Sequence, residues 1–173
     1  MTEGTERTYN GLPGAFRYAF VQSDSRVFKL YAVVGALLAL AITLFFALAM
    51  IVLIADTLEA AEGTLSLLRS FFVLVGLLVV LPIVAPVLFV ARRHRREIGD
   101  DADYDRRLAL TGFLFVFAVY VGLVVSTPPD QQAATDGALG PVLEVLYALP
   151  SLTGLLPPIV AAILIYGVHR TSQ

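Results

Sequence analysis

The chain has 173 residues, of which 58% are hydrophobic and 15% are charged, whereas about a quarter of the residues of an ordinary soluble domain are charged. It contains no cysteine, which excludes disulfides, thiolate nucleophiles, cysteine-ligated zinc and iron–sulfur clusters. The formal net charge of −2 gives no indication of a nucleic-acid partner. The composition therefore excludes a soluble domain with a single core and points to the bilayer.

The charged residues are segregated, and four long stretches contain no Asp, Glu, Lys or Arg: 30–55, 70–91, 108–129 and 145–169. About 20 apolar residues in a helix cross a hydrocarbon core about 30 Å thick, so each stretch is long enough to span a membrane. We predict an all-α fold, a transmembrane four-helix bundle over 30–170, with spans at about 30–55, 66–91, 108–126 and 143–169. The first apolar run follows 29 residues of head and is too long for a cleavable signal peptide, so we expect a retained anchor.

The head, residues 1–29, is predicted to contain a short helix over about 12–22. Its apolar residues recur at helical spacing, and Pro13 stands where a first helical turn tolerates proline; they are Leu12, Ala15, Phe16, Ala19 and Phe20. The pattern predicts an amphipathic helix in the membrane interface. The alternative is a disordered tail to about Asn10, followed by an extension of the first span.

The entrance of the first span is marked by residues that cap helices or anchor them at a membrane surface. Ser23, Asp24 and Ser25 are candidate N-caps, and the candidate interfacial anchors are Arg26, Lys29 and Tyr31. Farther along, Gly63 and Thr64 predict a hairpin turn, as the C-cap of one helix and the N-cap of the next. Pro141 suits the first turn of the helix that follows the polar loop 126–140.

Prolines interrupt the second and fourth spans. Pro82 and Pro86 share one face of the second span, and each removes a backbone donor. In the fourth span, four helix-weakening residues fall within nine positions: Pro150, Gly154, Pro157 and Pro158. We therefore predict a first segment that ends near Leu149 and a second that begins at about Pro157. The residues of a predicted helix-break cavity are Pro82, Pro86, Pro150, Ser151, Thr153 and Pro157.

The basic residues predict the orientation, because they are retained near span ends on the cytoplasmic side. With four spans, eleven of the twelve basic residues lie on one side, in the head, the second connection and the tail, and only Arg69 lies on the other. We therefore expect a multi-pass protein of the cell membrane with cytoplasmic N- and C-termini.

Four arginines end the second span and precede an Asp-rich segment, residues 100–105, that is predicted to be a loop. The arginines, Arg92, Arg93, Arg95 and Arg96, are candidates for contact with anionic lipid head groups. The alternative is that they fix the topology and complement the dipoles of the helix ends. His94 and His169 also lie at helix ends, beside arginine, and are predicted to be solvated rather than metal or haem ligands.

Small residues in the spans favour close helix packing within the chain: Ala32, Gly35, Ala36 and Ala39 in the first span, and Ala118 and Gly122 in the third. The charge-free runs lack the intramembrane carboxylates or bases of a proton relay, and no hydrolase or metalloprotease motif is present.

These observations favour a non-enzymatic membrane component that scaffolds or modulates another membrane assembly, with no catalytic, metal or cofactor residues. The expected partners are membrane lipids and either another membrane protein or a second copy of the chain, with no nucleic acid. The alternative is a small channel or carrier whose cavity is formed by the proline-broken helices two and four.

The segment Phe28-Lys29-Leu30-Tyr31, the four Ala/Leu/Val-rich spans and the arginine cluster followed by Asp resemble small four-span membrane proteins of unknown function encoded by haloarchaea. The preference for Arg over Lys and the Asp-rich polar segments are also typical of extreme halophiles, although high-GC codon usage produces much of the same bias. The resemblance covers the whole chain through architecture and composition. It implies no activity and no catalytic residue.

Overall fold

The computed structural model describes residues 11–56, 62–96, 102–132 and 137–171, and within these ranges it contains helices and no strand. The six α-helices are α1 (Gly11–Gln22), α2 (Arg26–Asp56), α3 (Glu62–Arg95), α4 (Ala102–Val125), α5 (Gly140–Tyr147) and α6 (Leu156–Thr171). Two short 3-10 turns, Pro129–Gln131 and Ser151–Leu155, precede α5 and α6 respectively.

Four helical segments are long and apolar enough to cross a membrane: Arg26–Ala55, Leu67–Arg95, Ala102–Val125 and Ser151–Thr171. They fall on the four apolar stretches of the sequence, because uninterrupted apolar residues favour a structure that satisfies every backbone group within one segment. The all-α prediction is confirmed for the described residues, and so are four helices of spanning length.

Helix α1 packs against α2 and α3. Ala15 and Ala19 are buried in this contact, whereas Leu12 and Phe20 of the same predicted apolar face are exposed. A helix is thus present where the spacing predicts one, and its placement in a membrane interface stays a prediction. Ser25 is the N-cap of α2, because its Oγ accepts a hydrogen bond from the Phe28 backbone N–H at 3.3 Å.

Helix α4 is central, since it contacts α2, α3, α5 and α6. We call the end of the molecule where α2 and α4 begin and α3 and α6 end the arginine end, and the opposite end, where α2 ends and α3 begins, the hairpin end. The buried residues of α2 and α3 concentrate toward the arginine end, where Phe28, Tyr31, Val87 and Val90 pack in one core with Leu108 of α4.

The structure corrects one predicted turn and confirms one predicted break. Helix α3 begins at Glu62, so Gly63 and Thr64 lie inside its first turn rather than between two helices. The cost of a helical glycine is only about 1 kcal/mol, which a long apolar helix outweighs. In contrast, Pro141 does lie in the first turn of α5, and the fourth span is broken between Tyr147 and Leu156, close to the predicted positions.

Candidate functional site

A buried polar pair ties the end of α3 to the start of α4. His94 lies in the last turn of α3 and Asp105 in the first turn of α4, and His94 Nε2 is 3.0 Å from Asp105 Oδ2. The two side chains are only 5% and 1% exposed. An ionised carboxylate can only accept hydrogen bonds, so Nε2 donates to Oδ2. Hydrogen bonds of this kind are stronger than bonds between neutral groups.

The second histidine joins α6 to the same cluster. His169, in the last turn of α6, has its Nδ1 atom 2.7 Å from the hydroxyl of Tyr104 in α4. The imidazole ring also stacks on Phe89 of α3, with 3.9 Å between the ring centroids and 4° between the planes. His169 therefore contacts both of the helices that the His94–Asp105 pair connects, and the ends of three helices are held by one set of side chains.

Arg93 completes the cluster. Its guanidinium lies 4.1 Å from the centroid of the Tyr104 ring, a cation–π geometry. Arg93 is thus folded against the protein, whereas Arg92, Arg95 and Arg96 are exposed. Contact between these arginines and lipid head groups stays a prediction, with the three exposed residues placed to make it.

The prediction of solvated histidines is wrong for His94, whose side chain is 5% exposed, whereas His169 is half-buried. The prediction of a loop over residues 100–105 is wrong for the described residues of that segment. Helix α4 begins at Ala102, so Asp103 and Asp105 lie in its first turn, where a carboxylate complements the helix dipole. Asp105 faces inward because it shares one face of α4 with Leu108, Ala109 and Gly112, all of them buried. This i, i+3, i+4, i+7 spacing was readable in the sequence, although the run of aspartates obscured it.

One atom of the cluster is an unsatisfied hydrogen-bond acceptor. Asp105 Oδ1 is buried and makes no hydrogen bond with the described residues, and an unsatisfied acceptor costs about 1–3 kcal/mol. Within the same part of the chain, no three His, Cys, Asp or Glu side chains are grouped in a way that would hold a metal ion. The arrangement links His94 to Asp105 and can fix three helix ends relative to one another.

Tyr31 forms a second polar contact among α2, α3 and α4. Its hydroxyl donates to the backbone carbonyl of Ile83 at 2.6 Å, and its ring packs edge to face on Phe113, with the centroids 5.0 Å apart. The side chain is fully buried, so the prediction that Tyr31 is an interfacial anchor is wrong. Ile83 lies between Pro82 and Pro86, so the Tyr31 hydroxyl attaches α2 to the proline-containing part of α3.

The break before α6 is closed by α4. The backbones of Gly122 and Gly154 approach so closely that a Cβ at either position would overlap the other residue's carbonyl. The Ser126 hydroxyl donates to the carbonyl of Ser151 at 3.0 Å, and the Thr153 hydroxyl donates to the carbonyl of Pro150 at 2.7 Å. The predicted use of Gly122 in helix packing is confirmed.

The predicted cavity residues therefore lie in two places. Pro82 and Pro86 are within α3, which continues through both, and Pro86 is buried. Pro150, Ser151 and Thr153 belong to the break that packs on α4, and Pro157 lies in the first turn of α6. A conducting cavity that joins the two sites stays a prediction of the sequence.

Four helices long and apolar enough to cross a membrane indicate an α-helical membrane protein. The chain belongs to the DUF8056 family, a domain of unknown function, which matches residues 1–173. Among curated proteins and solved structures, no match to the chain was found.

Proposed function

We propose that the protein is a non-enzymatic component of the cell membrane that scaffolds or modulates another membrane assembly. In this proposal the arginine end and both termini are cytoplasmic, and the partner is a membrane protein that packs beside α2. The proposal is supported by the use of the chain's histidines, Asp105, Tyr104 and Arg93 in a joint between α3, α4 and α6, which does not involve the exposed side of α2.

The observation that carries the proposal is the exposure of α2. Its most apolar 18-residue window has a mean hydropathy of 3.0 and no buried residue, whereas 39% of the corresponding window of α4 is buried. The first and third spans thus differ in burial. Helix α4 is enclosed by the other helices of the chain, whereas the buried core residues of α2 lie near its start and the rest of α2 keeps an exposed side beside its contact with α3.

The exposed side chains of α2 have the spacing of a helix-packing face. Leu37, Leu44, Leu48 and Ile51 are all more than half exposed, and they recur at intervals of seven, four and three residues. This alternation of three and four is the repeat by which left-handed pairs of helices interlock. Since lipid tails are as apolar as leucine, the partner is recognised by this packing rather than by hydrophobicity.

A pull-down from nanodiscs tests the proposal. The wild type is compared with Leu44→Ala/Leu48→Ala and with a matched control on α6, Ile163→Ala/Leu164→Ala, because all four side chains are exposed. We expect one stoichiometric protein partner with the wild type and the control, and at least a tenfold lower yield with the α2 variant. Equal recovery with all three contradicts the proposal, as does a stoichiometric ion or small molecule recovered without a protein.

The channel or carrier alternative is not favoured by the contacts at the helix break. There the carbonyl oxygens of Pro150 and Ser151 already accept hydrogen bonds from Thr153 and Ser126, whereas carriers use freed carbonyls of this kind for ions. We therefore keep one functional proposal.

A further inference from the structure

An apolar groove of about 300 Å³ lies between α2 and α3 toward the hairpin end. Its walls include Thr43, Ala47 and Met50 from α2 and Val73, Gly76 and Val80 from α3. Small side chains on both helices leave the space open. The buried core residues of α2 are Phe28, Tyr31 and Ala32, more than ten residues nearer the arginine end, so the groove lies beyond the main core.

Phe46 and Gly76 shape the groove. The Phe46 ring lies against the backbone of α3 at Gly76, where an added Cβ would be 3.1 Å from Phe46 Cδ1. The same ring packs on Phe72, with 4.9 Å between the centroids. These two rings hold α2 and α3 together at this level, and the groove runs beside them as a fixed feature of the hairpin.

Helical spacing places Arg69 beside the groove, toward the hairpin end of α3. Residues 69, 73, 76 and 80 follow the i, i+4, i+7, i+11 spacing of one helix face, so Arg69 lies on the groove face, one turn beyond Val73. Arg69 is half-buried and directly precedes the charge-free stretch 70–91 of α3, as expected of a cation at the boundary between head groups and chains. Guanidinium groups bind phosphate in a two-pronged geometry.

We propose that this groove and Arg69 form a binding site for one membrane phospholipid, with its phosphate on the Arg69 guanidinium and one hydrocarbon chain along the groove. A phospholipid matches both parts of the site, since its phosphate pairs with the Arg69 cation and its hydrocarbon chain contacts the apolar wall of the groove. Arg69 is the single basic residue of the chain between Lys29 and Arg92, and in the proposal its guanidinium binds the lipid phosphate.

The size of the groove suits a lipid chain. An apolar cavity of about 150 Å³ already admits benzene, so the observed volume accommodates a flexible alkyl chain. Being surrounded by lipid tails, the groove is filled by one of them at no cost in exposed polar groups.

The lipid site is independent of the proposed protein partner. The groove is lined by Thr43, Ala47 and Met50, whereas the face assigned to the partner contains Leu37, Leu44 and Leu48. The two sets occupy adjacent faces of α2, about a third of a turn apart by helical spacing. The lipid site is tested on the purified chain without a protein partner, so its failure is distinguishable from failure of the partner proposal.

Native mass spectrometry of the full chain tests the lipid site. The protein is released from nanodiscs of phosphatidylglycerol, and the lipids that it retains are counted as collision energy rises. Ala47→Phe fills the groove, and Ala41→Phe is its matched control, because both alanines are exposed on α2 and only Ala47 lines the groove. Arg69→Gln removes the cation, Arg69→Lys keeps the charge, and Arg26→Gln is the charge control at the arginine end.

We expect one tightly retained lipid in the wild type, in Ala41→Phe and in Arg26→Gln. Ala47→Phe should lose it, Arg69→Gln should bind it about tenfold more weakly, and Arg69→Lys should recover part of the affinity. Diacylglycerol with the same chains should be retained as weakly as phosphatidylglycerol is by Arg69→Gln.

Three results would overturn the proposal. One is lipid retention in Ala47→Phe equal to that in Ala41→Phe. Another is lipid retention in Arg69→Gln equal to that in the wild type. The third is equal retention of diacylglycerol and phosphatidylglycerol, which would show a chain site without phosphate recognition. Thermal unfolding of each variant in the same detergent separates loss of the site from loss of the fold.

Discussion

Replacement of Gly112 by alanine adds only one methyl group, and we nevertheless expect it to destabilise the folded protein strongly. A Cβ at Gly112 would overlap Tyr31 Cζ and lie 2.5 Å from both Cε2 and the hydroxyl oxygen of that ring. The ring is buried, its hydroxyl is bonded to the Ile83 carbonyl at 2.6 Å, and Phe113 packs against its edge. The ring therefore moves only by giving up these contacts.

The expected cost follows from those contacts. Overpacking of a core costs about 1–3 kcal/mol, and loss of the Tyr31 hydrogen bond adds about 1 kcal/mol, which gives a total of about 2–4 kcal/mol. For a chain of this size each kcal/mol lowers the melting temperature by about 2–4 °C. We therefore expect a fall of roughly 5–15 °C in thermal unfolding of the detergent-solubilised protein.

The matched control is Gly167→Ala in α6. Nothing lies within 4 Å of a Cβ at Gly167, and alanine is favoured over glycine in a helix by about 1 kcal/mol, so the melting temperature should stay unchanged or rise. Tyr31→Leu should relieve the clash, and the double variant with Gly112→Ala should cost less than the two single variants together. Strictly additive costs, or equal melting temperatures for the two Gly→Ala variants, would refute this reasoning.

Three further predictions concern the polar cluster, the helix break and the topology. Asp105→Ala should cost about 1–3 kcal/mol, because it leaves a buried His94 ring nitrogen without its hydrogen-bond partner, while the exposed Asp103→Ala in the same turn should change thermal unfolding little; similar shifts would contradict the buried pair. Gly122→Ala should cost about 1–3 kcal/mol because of its contact with the break, and an unchanged melting temperature would contradict that contact. Single cysteines at positions 99 and 134 of this cysteine-free chain should react with an impermeant maleimide on intact cells only at 134; the reverse pattern would refute the proposed orientation.

Features that depend on residues close together in the sequence were predictable. Long apolar runs predicted four helices of spanning length, and Pro150 and Pro157 predicted the break in the fourth span, because proline removes backbone donors locally. Ser25 was recognisable as an N-cap for the same reason, since its hydroxyl bonds a backbone N–H only three residues away.

The contacts that build the candidate site were not predictable, because they join residues far apart in the chain. Tyr31 meets Ile83 across 52 positions, and Tyr104 meets His169 across 65. A tyrosine at a span end is typical of a membrane interface. The local sequence pattern does not indicate which residue on another helix will contact it. A partly missed signal was the spacing of Asp105 with the buried residues that follow it on α4.

The central claim, that the exposed face of α2 carries another membrane protein, is tested most directly by photo-cross-linking in the native membrane. A photoreactive side chain is placed at position 48 on α2 or at position 163 on α6, since Leu48 and Ile163 are each 63% exposed. The account predicts an adduct with a second, different protein from position 48 and adducts only with lipid from position 163. Lipid adducts alone from both positions, or an adduct between two copies of this chain from position 48, would contradict it.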